Sequence, residues 1–268
     1  MLKLVKKYSN YQQFNPIPLK YKSETIGHIQ PKMVPHLPSF FQVEQNEIIL
    51  LTNCTETIEK MLLEWKAKGL FKCLKGWRNE RYNVYGSDSI LFEIERSANT
   101  LLGIRGYGCH MNGYILDNDQ VKVWIGKRSL NKQTFPGLTV GYTPLECMVK
   151  EAWEEAGISK ELCKDMVQTS CISFWRLDEY ESEPATNYVF DLQLPNDFVP
   201  KQQDDEVDSF RLLEIPEIKE LILKEKFKPE AALVMIDFMV RKGFLNDEEG
   251  FLELVTRLRV LFDYPGPK

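Results

Sequence analysis

Residues 141–158 read GYTPLECMVKEAWEEAGI, and the reading of this stretch decides the fold. Thr143-Pro144-Leu145-Glu146 is a capping box with proline at the first helical position. In such a box the hydroxyl accepts from the amide three residues on, and the glutamate reaches back to the cap amide. The pattern predicts a helix from there through Glu155 that stops at Gly157, because glycine tolerates the left-handed turn that ends a helix. Glu151 and Glu155 are four residues apart and Glu151 and Glu154 three, so all three carboxylates approach one helix edge with Cβ atoms about 5–6 Å apart. Like charges at that spacing cost roughly 0.2–0.5 kcal/mol per pair unless something positive lies between them. A Mg²⁺ or Mn²⁺ ion would supply that charge, since hard cations prefer carboxylate oxygen. From spacing alone the other reading is a solvated acidic face with Lys150 and Glu154 as an ordinary i,i+4 pair.

Upstream of this helix, residues 108–116 and 121–129 are strand-like runs joined by DNDQ, a turn-rich linker that predicts a hairpin. Downstream, residues 169–177, 185–194 and 209–215 read as strands, and 214–227, 229–243 and 248–262 as helices. The first hundred residues read as a small mixed domain. Residues 47–53 look like a strand, and 55–70 place Ile58, Met61, Leu62 and Trp65 on one helical face, with Thr55 as its cap and Gly69 as its end. GWRNERYNVYG (76–86) is dense in aromatics and cations, and 89–98 alternates as a strand. Strands interspersed with amphipathic helices predict an α/β sandwich preceded by a small α+β domain, with residues 1–105 and 106–268 as the two domains.

With 268 residues, 43% of them hydrophobic and 27% charged, the chain has the composition of a folded protein. Its longest apolar run, residues 231–240, is broken by Asp237 and is too short to span a bilayer. The N-terminus lacks the apolar core of a secretory signal. Six cysteines form no CxxC pair, which argues against structural zinc and for reduced thiols; a cytoplasmic location and no membrane partner are expected. The first 130 residues hold 18 Lys+Arg against 12 Asp+Glu and the rest 16 against 27. That asymmetry fits two ordinary surfaces, or cations offered to a phosphate beside carboxylates offered to a metal. No basic tract or stacking motif suggests a nucleic-acid polymer as partner.

The helix string resembles the signature of the Nudix hydrolases, with Tyr142 where the signature has its first Glu and Lys150 where it has Arg. In that family these two positions are similar to an ion pair that steadies the loop against the helix. The likeness is wider than the signature. Residues 76–86, 95–115, 123–137, 188–198, 204–215 and 227–243 run in the order of a Nudix group named for its similarity to thiamine pyrophosphokinase. Against that group the chain is short by a brief stretch between Gly137 and Leu138.

The resemblance implies a diphosphatase that converts thiamine diphosphate, or its oxo and oxy forms, to the monophosphate. A nucleotide-sanitising diphosphatase of the 8-oxo-dGTP type and a catalytically weakened thiamine diphosphate-binding protein are the alternatives. It also implies Mg²⁺ or Mn²⁺ on Glu151, Glu154 and Glu155, with Glu206 as a further metal ligand or base. Arg128 and Lys132 are candidate phosphate contacts, Arg suiting bidentate binding. Trp77 and Arg78 could stack on an aromatic ring or grip phosphate, or form a local structural cluster. His110 falls in an apolar strand pattern and is expected to pack in the core. The partner is therefore a small-molecule diphosphate, and oligomeric state is not legible in the sequence.

Overall fold

The computed structural model describes residues 1–11, 15–129, 142–204, 206–262 and 265–266. The chain forms two compact units that do not follow one another simply along the sequence. One comprises Met1–Tyr8, Tyr107–Ser173 and Thr186–Val260, the other Ser9–Gly106, Phe174–Ala185 and Leu261–Lys268. Helix α1 (Leu2–Tyr8) buries Leu4, Val5 and Tyr8 and belongs to the first of these.

In the second unit, β1 (Ile17–Tyr21), β2 (Glu24–Ile29), β3 (Phe41–Val43) and β4 (Ile48–Leu50) form a sheet in the order β2-β1-β4-β3. Helix α2 (Thr55–Ala67) buries Ile58, Met61, Leu62 and Trp65, the face that the periodicity predicts. Thr55 is not its cap. Cys54 holds the cap position without a side-chain bond, and Thr55 Oγ1 accepts from the Glu93 amide at 3.0 Å. The hydroxyl thus ties the helix to the antiparallel pair β5 (Arg81–Tyr85) and β6 (Ile90–Glu95). Helix α3 (Asn99–Leu102) ends at Gly103, whose φ of 59° and close approach to the His28 backbone, 1.9 Å from where a Cβ would lie, admit only glycine.

In the first unit, β7 (Gly106–Asp117) and β8 (Gln120–Arg128) make the expected hairpin. Its turn residues Asn118 and Asp119 both have positive φ, 48° and 64°, as a turn matched to strand twist requires. Helix α4 (Pro144–Ala156) follows, then β9 (Val167–Leu177) and β10 (Ser182–Gln193), whose stretches 174–177 and 182–185 belong to the other unit, and β11 (Val207–Glu214), α5 (Ile215–Leu223), α6 (Pro229–Arg241) and α7 (Phe251–Arg257). The sheet order is β11-β8-β7-β10-β9, and the α/β class is the one expected. The last helix is shorter than the stretch 248–262. Beyond Arg257 the chain turns extended, and Arg259 bridges Ser173 in parallel, with the Val260 amide donating to the Ser173 carbonyl at 3.2 Å.

Cys147, Met148, Ala152 and Ala156 on α4 pack with Cys109 and Ile115 of β7 and Phe190 and Leu192 of β10. This contact fixes the angular position of α4 on the sheet, and so fixes which of its polar residues are drawn inward. Among the described residues no helix is long and apolar enough to cross a membrane.

Candidate active site

The helix that carries the carboxylates is held at both ends. Thr143 Oγ1 accepts from the Glu146 amide at 3.2 Å, and Glu146 Oε2 accepts from the Thr143 amide at 2.9 Å, completing the capping box. At the other end Gly157 has φ 67°. A Cβ there would lie 2.6 Å from the Lys201 carbonyl oxygen, so the segment after β10 comes in over the glycine. That segment is stitched to the helix end: the Lys201 amide donates to the Ala156 carbonyl, and the Gln203 and Asp204 amides to the Glu154 carbonyl, at 3.0, 2.9 and 3.1 Å. Two residues later it delivers Glu206 at the start of β11.

With 3.6 residues per turn, Glu151 and Glu155 sit about 40° apart, inside the arc between Cys147 and Ala152 that faces the sheet. Their carboxyls are therefore drawn out of water with the apolar stripe. Burial, first, pushes Glu151 up to about 7, with the negative neighbours Glu154 and Glu206 adding to it against Lys150. Glu155 also rises to about 7, again through burial first, then through the charges of Glu151 and Glu206, with Arg128 pulling the other way. Arg128 and Glu206 come from neighbouring strands: Val207 pairs with Arg128 across β11 and β8, the Ser129 amide donates to the Glu206 carbonyl at 2.9 Å, and Arg128 Nη1 lies 3.4 Å from Glu206 Oε2. Arg128 Nη2 is buried and makes no hydrogen bond among the described residues. A buried guanidinium nitrogen of that kind calls for an anionic or water partner.

Glu151, Glu155, Glu206 and Arg128 are thus brought into one electrostatic neighbourhood. Glu154 is turned to the margin of the arc, where its carboxylate accepts from Lys150 Nζ at 2.5 Å, the i,i+4 pair anticipated from spacing. Lys132 lies outside the described residues. Trp77 and Arg78 belong to the other unit, in local contacts. Trp77 Nε1 donates to Asn79 at 2.8 Å under the Lys66 ammonium, and Arg78 donates through its amide to Glu95 and through Nε to the Gly76 carbonyl. Tyr142 is exposed, and Lys150, in the place of the signature's Arg, finds its partner within α4.

Sequence reading missed Lys228 and Asp204. Lys228 caps α6 and interacts with Arg128, Glu155, Glu206 and Glu230; Asp204 adds to the charge felt by Glu155. No linear spacing links the lysine of a Lys-Pro helix start to a helix more than seventy residues upstream. His110 is half-buried, where Glu230 and Lys228 act on it, and burial holds its pKa below the ordinary histidine value.

Among the described residues, no three His, Cys, Asp or Glu side chains converge as a ready-made metal cage. Mg²⁺ does not need one: it usually keeps several waters and is held by one or two carboxylates together with substrate phosphates. Two desolvated, mutually repelling carboxylates that would hold protons near neutral pH are a donor pair of the right hardness for it. The residues present fit a divalent cation through Glu151 and Glu155.

Nudix hydrolase 20, chloroplastic, of Arabidopsis thaliana is 42% identical to this chain, covering 91% of it and 72% of its own length. The chain belongs to the Nudix hydrolase family. It is therefore a hydrolase of the class acting on pyrophosphate bonds. Nudix hydrolase 24, chloroplastic, of the same plant is 41% identical over 69% of this Nudix chain and 54% of its own length. An uncharacterised protein of Saccharomyces cerevisiae is 36% identical over 77% of the Nudix chain and 66% of its own. Residues 1–106 match a domain of unknown function, DUF4743. Among solved structures, a Nudix hydrolase from M. smegmatis superposes with a TM-score of 0.39 at 14% identity, covering 52% of this chain and 88% of that one, a likeness too slight to bear on function.

Proposed function

We propose that this Nudix hydrolase cleaves the diphosphate bond of thiamine diphosphate, or of its oxidised oxo and oxy analogues, to give the monophosphate, in the cytoplasm. The observation that carries the diphosphatase reading is the pair Glu151 and Glu155, desolvated on the inward arc of α4 beside Glu206 and Arg128. The preference for thiamine diphosphate rests on the sequence likeness that runs along nearly the whole chain. Glu151 and Glu155 would hold Mg²⁺ or Mn²⁺, which when bound would supply Lewis-acid polarisation of the diphosphate and lower the pKa of water. Arg128, whose Nη2 has no partner among the described residues, binds phosphate oxygens and draws off negative charge. Glu206 accepts the proton of the attacking water, and its ion pair with Arg128 aims its carboxylate. Glu154, committed to Lys150, supports the helix instead of binding the cation.

The test is a substrate panel with the whole chain. Thiamine diphosphate, oxythiamine diphosphate and 8-oxo-dGTP are incubated with the protein and Mg²⁺, with a chelator control, and phosphate release is followed. The expected result is Mg²⁺-dependent release from the thiamine compounds at a kcat/KM well above that for 8-oxo-dGTP. Preference for 8-oxo-dGTP would make the protein a nucleotide-sanitising enzyme. Tight thiamine diphosphate binding without release from any substrate would make it a binding protein.

A further inference from the structure

We infer that the DUF4743 unit has an oxyanion site of its own, at a notch over Gly76, where Arg78 and Ser97 bind a phosphate group, free or carried by a small molecule. The inference stands whether or not Glu151 and Glu155 serve a diphosphatase.

The sequence is locally cationic here, with six Lys and Arg against one Glu over residues 66–81. The fold gathers two backbone segments, 76–80 and 95–97, around Gly76. Glu95, buried at the end of β6, accepts through Oε1 from the Arg78 amide at 3.2 Å and from the Ser97 amide at 3.3 Å. One carboxylate oxygen thus holds the two residues side by side. Arg78 Nε donates to the Gly76 carbonyl at 3.3 Å, and a Cβ on Gly76 would meet nothing nearer than the Ser97 Cβ, 3.9 Å away. Gly76 therefore leaves open space bordered by Arg78 and Ser97, where a ligand can come close to the backbone. Arg78 Nη1 and Ser97 Oγ are both buried, and neither makes a hydrogen bond among the described residues. Two unmade bonds at one spot call for a partner, the more so where one donor is charged. Glu80 does not supply it. Its Oε2 stands 3.8 Å from Arg78 Nη1, too far for a hydrogen bond, and its Oε1 accepts from Arg96 Nη1. Two guanidinium groups share that carboxylate, and Lys66 Nζ adds a further cation 4.9 Å over the Trp77 ring. Arg78 is tethered through Nε with 28% of its side chain exposed, so a small rotation turns Nη1 into the notch. A guanidinium and a hydroxyl that lack acceptors, beside excess positive charge, suit an anion with several acceptor oxygens. Phosphate fits, since it presents three strong acceptor oxygens and is largely dianionic at neutral pH. A carboxylate offers fewer oxygens and less charge, and matches the pair less well.

Calorimetric titration of the full chain in chelator at pH 7.5 tests the site, with inorganic phosphate, ethyl phosphate and acetate as probes. Arg128→Met is the background, so that the arginine proposed for the diphosphate site does not contribute. In that protein phosphate should bind saturably, and acetate roughly tenfold more weakly. Adding Arg78→Met should weaken phosphate binding roughly tenfold, and adding Ser97→Ala roughly threefold. Gly76→Leu fills the notch without altering either partner. Nothing crowds its Cβ, so its urea midpoint should match the background while phosphate binding is lost. Ethyl phosphate bound as tightly as inorganic phosphate upholds the site as one for a phosphorylated small molecule; binding of inorganic phosphate alone upholds it for the free ion. No saturable phosphate binding in the Arg128→Met background, or unchanged affinity on adding Arg78→Met and Gly76→Leu, would overturn the site. Acetate bound as tightly as phosphate would overturn the choice of anion.

Discussion

Glu155 is where one side chain most clearly betrays its purpose, because a lone surface glutamate would not sit at about 7. Its raised pKa means that the folded protein binds a proton there more tightly than the unfolded chain does. The stabilising proton is fully present below the unfolded value near 4.5 and is lost as pH climbs through about 7. In chelator, wild type should therefore lose stability relative to Glu155→Gln between pH 5 and 8, by up to about 3 kcal/mol. Denaturant titrations of both proteins across that range check this, and a difference independent of pH would refute it. The three glutamates were legible in the sequence as candidates, but their unequal fates were not. Which of Glu151, Glu154 and Glu155 turns inward depends on how Cys147, Met148 and Ala152 seat the helix, and that is a property of packing. Lys150 then captures the carboxylate left at the margin.

At the scale of elements, α4 was the most legible part of the chain, because both its cap and its stop are local chemistry. The β7–β8 turn was legible for the same reason. The DUF4743 sheet was not: β1 and β2 are short, and the register shift between Leu19 and Lys20 breaks their alternation. Two variants separate the ends of α4. Thr143→Ala removes one capping bond and should cost about 0.5–2 kcal/mol of stability, with kcat nearly unchanged. Gly157→Ala forces a Cβ into left-handed backbone and against the Lys201 carbonyl, costing more than about 1 kcal/mol. It also displaces the segment that leads to Glu206, so kcat should fall along with stability. Denaturation and turnover measured side by side distinguish these outcomes; equal kcat in both variants would show that the 201–204 segment does not place Glu206.

At the scale of the molecule, the unit that carries the site is tied together by a buried ionic network. Asp237 in α6 is fully buried and accepts from Arg241 and from Arg259, Arg241 grips Asp191 of β10 with two nitrogens, and Asn112 of β7 donates to Asp191 at 2.9 Å. In the sequence Asp237 was only an interruption in an apolar run, since its partners come from distant positions. Removing one member leaves buried charge uncompensated, so Asp237→Asn should cost about 3 kcal/mol or more, read from urea denaturation. A near-neutral result would show that the network contributes little. The same unit must bind a divalent cation if the account is right. Calorimetric titration of Mn²⁺ into wild type, Glu155→Gln and Glu154→Gln at pH 7.5 tests this most directly. Affinity should fall by roughly tenfold to a hundredfold or more in Glu155→Gln and change little in Glu154→Gln; equal Mn²⁺ affinity in wild type and Glu155→Gln would contradict the metal site itself.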